Sequence, residues 1–179
     1  MGVEFTCVFK RMTAFAPRIF SVESIGRGSL AVMARPVAGE WIEEEFAGIA
    51  EAGINRVVSL LEIDEAIELG LGAEADLCRR NGMEFSSFPI RDRGLPQSLS
   101  NFAEFNREIY QAILSGTNIV VHCRAGIGRT GIFSAALLLR SGQNAEEAFK
   151  RISAARGLRV PDTEEQRAWV KANERALRS

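Results

Sequence analysis

Short apolar runs alternate along the chain with longer segments in which apolar residues recur at helical spacing. The short runs are bounded by glycine or polar residues, as is typical of strands, whereas the longer segments favour amphipathic helices. The predicted strands are Arg18–Glu23, Leu30–Ala34, Arg56–Leu61, Glu84–Ile90 and Asn118–His122. The predicted helices are Trp41–Ala52, Glu65–Arg80, Ser98–Leu114, Thr130–Ser141, Ala145–Ala155 and Thr163–Leu177.

The order of these elements indicates the fold class, because strands that alternate with helices form mostly parallel sheets. The pair Val57–Val58 and the run Ile119–Val121 are continuously apolar, as expected for strands that are buried on both faces. Asn144 and Asp162 are the predicted N-caps of the helices that follow them. We therefore predict a single α/β domain over residues 1–179, with a central, mostly parallel sheet of about five strands flanked by helices on both faces.

Composition and charge exclude several classes of protein. The chain has 179 residues and a formal net charge of −1, so no global basic field attracts nucleic acid or a membrane surface. We expect neither of them as a partner, and a monomer by default. Cys7, Cys78 and Cys123 are too few for a disulfide framework, which favours a reducing, cytoplasmic compartment. Cys7 and Cys78 are expected to be inert, and Met1–Thr6 fits only the loose myristoylation pattern.

The segment Val121–Gly131 carries the candidate chemistry. It follows an apolar strand and leads into the apolar helical run Phe133–Leu139, so its glycine-rich centre is expected to be a tight loop. Such a loop lies at the carboxyl edge of a parallel sheet, where the ligands of open α/β folds bind. Its backbone amides can surround an anion, and the helix N-terminus adds a partial positive charge. The sequence therefore predicts an oxyanion site, most naturally for phosphate.

Cys123 and Arg129 suit this site to phosphoryl transfer. A field that attracts phosphate also favours the nucleophilic thiolate form of Cys123. Arg129 provides a planar fork for two phosphate oxygens, and Thr130 places a hydroxyl near the thiolate as it leaves in a second step. The expected phosphate-binding residues are Arg124, Ala125, Gly126, Ile127, Gly128 and Arg129.

The segment His122–Gly131, which reads HCRAGIGRTG, resembles the signature loop of the cysteine-dependent protein tyrosine phosphatase superfamily. The size of the chain and the segment Pro89–Pro96 are similar to those of the compact dual-specificity-like group. This group includes cyclin-dependent kinase inhibitor 3-type and small prokaryotic tyrosine phosphatases. The resemblance implies a phosphatase that needs no cofactor or metal and acts on phosphotyrosine in proteins or peptides. Activity on phosphoserine and phosphothreonine stays open.

The resemblance also implies roles for three further residues. Asp92 would be the general acid that protonates the leaving oxygen and later activates water. Gln166 would position that water, and His122 would orient the loop and stabilise the thiolate. Three acidic residues that follow a strand to the same edge would either cap a helix or assist the acid: Glu62, Asp64 and Glu65.

Two other functions stay open on the sequence. In a phosphoinositide phosphatase, Arg124 would add positive charge inside the loop, although Ile127 is neutral where a second base would be expected. A non-catalytic phosphate-binding module would not need Cys123, Arg129 and Asp92 together. A single histidine and the lack of a clustered ligand motif argue against a metal-dependent phosphatase.

Overall fold

One sheet organises the fold, and the computed structural model describes residues 16–179. Its strands are β1 Phe20–Ile25, β2 Gly28–Met33, β3 Arg56–Ser59, β4 Glu84–Ser87 and β5 Asn118–His122. They lie in the order β1-β2-β5-β3-β4. β1 pairs with β2 antiparallel, and the other neighbouring pairs are parallel. The predicted α/β class with a mostly parallel sheet is confirmed. Cys7 and the pattern Met1–Thr6 lie outside the described residues.

Eight α-helices follow from the longer segments within residues 16–179. They are α1 Ile42–Glu51, α2 Ile63–Glu68, α3 Glu74–Arg80, α4 Leu99–Ser115, α5 Gly128–Arg140, α6 Ala145–Arg156, α7 Glu164–Ala172 and α8 Glu174–Arg178. A short 3-10 turn, Gly39–Trp41, precedes α1. None of the helices in this range is long and apolar enough to cross a membrane.

Helices cover both faces of the sheet, as predicted. Successive residues of a strand point to opposite faces, and β5 shows this alternation clearly. Ile119 and Val121 pack in one apolar cluster with residues of α4, α5 and α6, including Phe133. Val120 packs in a second cluster with residues of α1 and α3, including Phe46. The sheet is therefore the middle of three layers, and its carboxyl edge stays open between them.

Two predicted helices are interrupted. The predicted helix Glu65–Arg80 divides into α2 and α3, because Gly70 has a φ of 73°, a left-handed conformation that ends a helix. The predicted helix Thr163–Leu177 divides into α7 and α8 at Asn173, whose side-chain amide donates to the carbonyl of Trp169 at 2.8 Å. Apolar residues recur at helical spacing across both breaks, so periodicity alone did not reveal them.

Two strands end two or three residues earlier than predicted. β3 ends at Ser59 rather than Leu61, and β4 ends at Ser87 rather than Ile90. Pro89 has no N–H to donate to a strand ladder, which limits the extension of β4. The chain therefore leaves the sheet early and enters the loops at its carboxyl edge.

One of the two predicted helix caps is wrong. Asn144 caps α6 as predicted and accepts from the N–H of Glu147 at 3.0 Å. α7 is capped by Thr163 instead of Asp162, because the Thr163 hydroxyl accepts from the N–H of Gln166 at 3.1 Å. Asp162 is consequently free to face the sheet edge.

Candidate active site

The glycine-rich loop of residues 123–127 joins β5 to α5 at the carboxyl edge of the sheet. Gly126 has a φ of 67°, and a Cβ atom there would lie 2.1 Å from the carbonyl oxygen of Met33 at the end of β2. Glycine is therefore required at this position. The N–H of Arg35 also donates to the carbonyl of Arg124 at 3.2 Å. These contacts hold the loop against the end of β2.

A cavity of about 180 Å³ opens over this loop. Cys123 contributes to its wall and is only 3% exposed. The apolar N-cap residue of α5, Ile127, has no side-chain acceptor for the first amides of the helix, which leaves them available to an anion. The cavity is lined by Asp92, Arg93, Cys123, Arg124, Ala125, Ile127, Gly128, Arg129 and Asp162. The structure thus brings the predicted nucleophile, the predicted arginine and the predicted acid into one small space.

Arg129 is buried in the wall of this cavity and bonds through both terminal nitrogens. Nη1 donates to Glu65 Oε2 at 2.6 Å and to the carbonyl of Ile90 at 3.0 Å. Nη2 donates to Glu65 Oε1 at 2.9 Å and to Asp92 Oδ1 at 2.9 Å. The bidentate pair with Glu65 sets the plane of the guanidinium.

Glu65 is an ion-pair partner rather than an acid. Arg124 Nε donates to its Oε1 at 2.9 Å, in addition to the two bonds from Arg129. Burial raises the pKa of Glu65, but the hydrogen bonds and charges of the two arginines outweigh it and lower the pKa to about 2. A carboxyl group that is ionised at neutral pH has no proton to donate, so the low pKa favours an ion-pair role for Glu65 over the open alternative that it assists the acid. Glu62 is the N-cap residue of α2, and Asp64 lies in its first turn.

Asp92 lies on a tight turn that projects over the cavity. The N–H of Gly94 donates to the carbonyl of Arg91 at 2.8 Å and closes the turn. Arg93 adopts a φ of 55° and its Nε lies 3.2 Å from Asp162 Oδ2. The side chain of Asp92 is 56% exposed, so its carboxylate is open to solvent as well as to the cavity.

Gln166 contacts this turn from behind. Its Nε2 donates to the carbonyl of Gly94 at 3.3 Å, and its Oε1 accepts from the N–H of Thr163 at 3.3 Å. The amide also packs against Gly128, where a Cβ atom would lie 2.9 Å from it. Gln166 is fully buried and does not line the cavity. The neighbouring residue Asp162 does line it.

His122 and Thr130 are both fully buried. His122 Nδ1 lies 3.4 Å from the carbonyl oxygen of Cys123. Its Nε2 lies 2.9 Å from Glu74 Oε1, although the alignment is not that of a hydrogen bond. The hydroxyl of Thr130 has no hydrogen-bond partner within residues 16–179.

Sequence reasoning missed three contacts of the site. It noted Glu65 at the correct edge but not its pairing with Arg129. It missed Glu74, which faces His122 from α3, and Arg156, which bonds to the loop from the end of α6. The position of Glu65 after a strand was a usable signal, whereas the other two residues carry no local signal of their role.

The fold and the loop define the compact dual-specificity-like group of cysteine-dependent protein tyrosine phosphatases. A family model described as "Polymorphic toxin system, DSP-PTPase phosphatase" matches residues 31–143, and the chain belongs to this family. The match covers both the loop and the turn that carries Asp92.

Two curated relatives are similar over parts of their length. The putative tyrosine phosphatase 197R of Invertebrate iridescent virus 6 is 24% identical over 124 residues, which cover 65% of this chain and 47% of that protein. A second, from Arabidopsis thaliana, is named phosphatidylinositol 3,4,5-trisphosphate 3-phosphatase and protein-tyrosine-phosphatase PTEN1. It is 37% identical over 91 residues, which cover 47% of this chain and 21% of that protein. The chain thus spans about half or less of these relatives.

Solved structures share the fold over nearly the whole chain. Kinase associated phosphatase, with its catalytic-site cysteine replaced by serine, superposes with a TM-score of 0.82 at 18% identity and covers 92% of this chain and 97% of its own. The active form of Tk-PTP superposes with a TM-score of 0.71 at 28% identity and covers 87% of this chain and 96% of its own.

Proposed function

We propose that this chain is a hydrolase that removes phosphate from phosphotyrosine in proteins through a cysteinyl-phosphate intermediate. The observation that carries the proposal is the shared cavity of Cys123, Arg129 and Asp92 over a loop of anion-binding shape. The cysteine of kinase associated phosphatase described as its catalytic-site cysteine supports the same role for Cys123.

In the first step, the Cys123 thiolate attacks phosphorus, an S–P bond forms and the bond from phosphorus to the substrate oxygen breaks. Arg129 and the loop amides stabilise the negative charge on the three other oxygens. Asp92 in its protonated form gives its proton to the departing oxygen. A phosphoryl oxygen that binds Arg129 Nη2 would replace Asp92 there and release its carboxyl group towards the leaving group.

In the second step, water attacks the cysteinyl phosphate, Asp92 takes a proton from that water, and phosphate leaves as the thiolate re-forms. The unpaired hydroxyl of Thr130 is suited to donate to the thiolate at this point. His122 supports the carbonyl of Cys123 from the buried side. We assign Gln166 a positioning role, because its amide joins Gly94 of the acid turn to the start of α5.

The test of the covalent mechanism is a comparison of Cys123→Ser with Cys78→Ala. The first variant should lose turnover but still bind a phosphotyrosine peptide, because Arg129 and the loop amides remain. The second should keep turnover, since burial and the charge of Glu74 raise the pKa of the Cys78 thiol to about 12 and leave it unreactive. Normal turnover in Cys123→Ser, or activity that depends on added metal, would contradict the mechanism.

The substrate class is tested on matched phosphotyrosine, phosphoserine and phosphothreonine peptides beside soluble phosphoinositides. We expect the highest kcat/KM on phosphotyrosine. The alternative, a phosphoinositide phosphatase, has less support because Ile127 places a neutral side chain in the cavity wall. Faster turnover of a phosphoinositide than of every peptide would favour that alternative.

We further propose that residues 1–179 act as one phosphatase domain in a reducing, cytoplasmic compartment. Cys78 and Cys123 are both free thiols, and a catalytic thiolate must stay reduced to react. Trapping of cellular thiols with an alkylating agent should find Cys123 reduced. Recovery of Cys123 mainly in oxidised form would argue against this compartment.

A further inference from the structure

The carbonyl groups of the anion loop face away from the cavity. A loop that turns successive amides towards an anion must turn its carbonyl oxygens outwards, where donors behind the loop can bond them. The carbonyl of Arg124 accepts from the N–H of Arg35 at 3.2 Å. The next two carbonyls, of Ala125 and Gly126, both accept from one side chain, Arg156.

The guanidinium of Arg156 donates two hydrogen bonds to the loop. Its Nη2 donates to the carbonyl of Ala125 at 2.9 Å and its Nε donates to the carbonyl of Gly126 at 3.1 Å. The guanidinium lies over the ring of Phe20 on β1, 4.3 Å from the ring centroid. Arg156 is the last residue of α6, which ends at Gly157 in a left-handed conformation. The end of a helix and an aromatic ring therefore fix the guanidinium behind the loop.

The charge of Arg156 also acts on the nucleophile. Burial lowers the pKa of Arg156, and the negative charge of a Cys123 thiolate acts in the opposite direction. Arg156 thus contacts the loop by hydrogen bonds and lies within electrostatic range of the nucleophile, although it does not line the cavity.

We propose that Arg156 is a positioning residue for the phosphatase reaction, which holds the peptide groups after Ala125 and Gly126 so that their amides face the phosphoryl group. The inference rests on the proposed function, because it assigns Arg156 to the same loop. An arginine is required, since a lysine has one charged nitrogen and no planar fork to bond both carbonyls in this geometry.

The test uses Arg156→Ala and Arg156→Lys, with Arg151→Ala as the control. Arg151 lies on the same helix, is half exposed, and pairs with Glu23 at 2.8 Å, away from the loop. We expect Arg156→Ala to lower kcat/KM on phosphotyrosine peptide by about tenfold or more, because small displacements of catalytic groups have large effects. The kcat/KM of Arg156→Lys should remain well below that of wild type, whereas the kcat/KM of Arg151→Ala should equal that of wild type.

A second readout does not depend on turnover. Binding of orthovanadate should weaken about tenfold in Arg156→Ala, because the amides no longer converge. Thermal unfolding of each variant shows whether it is folded at the assay temperature. If Arg156→Ala is not folded, the comparison with wild type is made with Arg156→Lys instead.

The outcomes separate this inference from the proposed function. Wild-type protein without phosphatase activity would refute the proposed function, while changed vanadate binding in folded Arg156 variants would still support the assignment to the loop. A folded Arg156→Ala with wild-type kcat/KM and wild-type vanadate affinity would overturn the inference. Full activity in Arg156→Lys would also overturn it, because it would show that charge alone is sufficient.

Discussion

Among single residues, Arg129 combines burial with hydrogen bonds at both terminal nitrogens. Glu65 holds the guanidinium from one side, and the carbonyl of Ile90 adds a further acceptor. Asp92 reaches the same guanidinium from the acid turn. A guanidinium that is fixed in this way needs little reorganisation to stabilise a transferring phosphoryl group.

Replacement of Arg129 by lysine tests the importance of the planar fork. Arg129→Lys keeps the charge but cannot bond Glu65 with two nitrogens and also reach a phosphoryl oxygen. We expect kcat on phosphotyrosine peptide to fall about tenfold or more. Arg159→Lys is the control, because Arg159 is exposed and pairs with Glu164 outside the cavity lining. An unchanged kcat/KM in Arg129→Lys would show that Arg129 does not hold the phosphoryl group.

The role of Asp92 is tested by the choice of leaving group. Asp92→Asn keeps the size of the side chain but removes the proton. The tyrosine phenol is a poor leaving group with a pKa of about 10, so we expect a loss on the order of 10²-fold on phosphotyrosine peptide. Nitrophenyl phosphate has a better leaving group and should lose clearly less.

Equal losses on both substrates would assign Asp92 a positioning role, for which its bond to Arg129 provides a structural basis. The absence of a loss on either substrate would place the general acid elsewhere. Glu62 would then be the next residue to replace, because the low pKa of Glu65 excludes that carboxyl group.

At the scale of elements, the first turn of α7 holds the acid turn in place. Thr163 and Gln166 satisfy each other's backbone N–H groups in a capping box. This arrangement directs the Gln166 amide to the carbonyl of Gly94, while Asp162 pairs with Arg93 on the same turn. The start of one helix thus contacts the acid turn at two points.

The helix cap can be tested by a pair of neighbouring substitutions. Thr163→Ala should lower the free energy of unfolding by about 1 kcal/mol, since it removes the acceptor for the N–H of Gln166. Asp162→Ala should change it by less than about 0.5 kcal/mol, because its ion pair with Arg93 is exposed. Urea denaturation measures both. A larger effect of Asp162→Ala would mean that Asp162 caps the helix.

At the scale of the whole molecule, the ion pairs of Glu65 join α2 to the loop and to the buried helix α5. The pKa of Glu65 is lowered from an ordinary value of 4.5 to about 2, so the folded protein binds this proton less readily than the unfolded chain. The stabilisation is therefore fully present above pH 4.5 and is lost as the pH falls towards about 2. The difference between the pKa of Glu65 in the unfolded chain and in the folded protein corresponds to a stabilisation on the order of 3 kcal/mol.

Acid unfolding of Glu65→Gln should show this contribution. The free energy of unfolding of wild type should fall more steeply than that of Glu65→Gln between about pH 5 and about pH 3. Denaturant titrations at a series of pH values measure both slopes. Parallel curves would contradict the assignment, since the lowered pKa would then not belong to Glu65.

Local sequence was sufficient for the elements and for the centre of the site. The spacing of apolar residues predicted the five strands and most helices, because burial on one or both faces has a short period in sequence. The loop and its resemblance identified Cys123 and Arg129, which lie six positions apart in one segment whose backbone conformation follows from its glycines. The acid turn was found in the same way, since glycine and proline near Asp92 act locally.

Only the tertiary structure decided which side chains support that centre. Glu65 and Arg129 are 64 residues apart, and Arg156 is 31 residues from Ala125. Such contacts depend on strand order and on the direction in which each helix crosses the sheet, and no short segment contains that information. The breaks at Gly70 and Asn173 were missed because apolar spacing continues through them. The side chains that hold the anion loop in shape are therefore set by long-range packing, whereas the loop itself is encoded within one short segment.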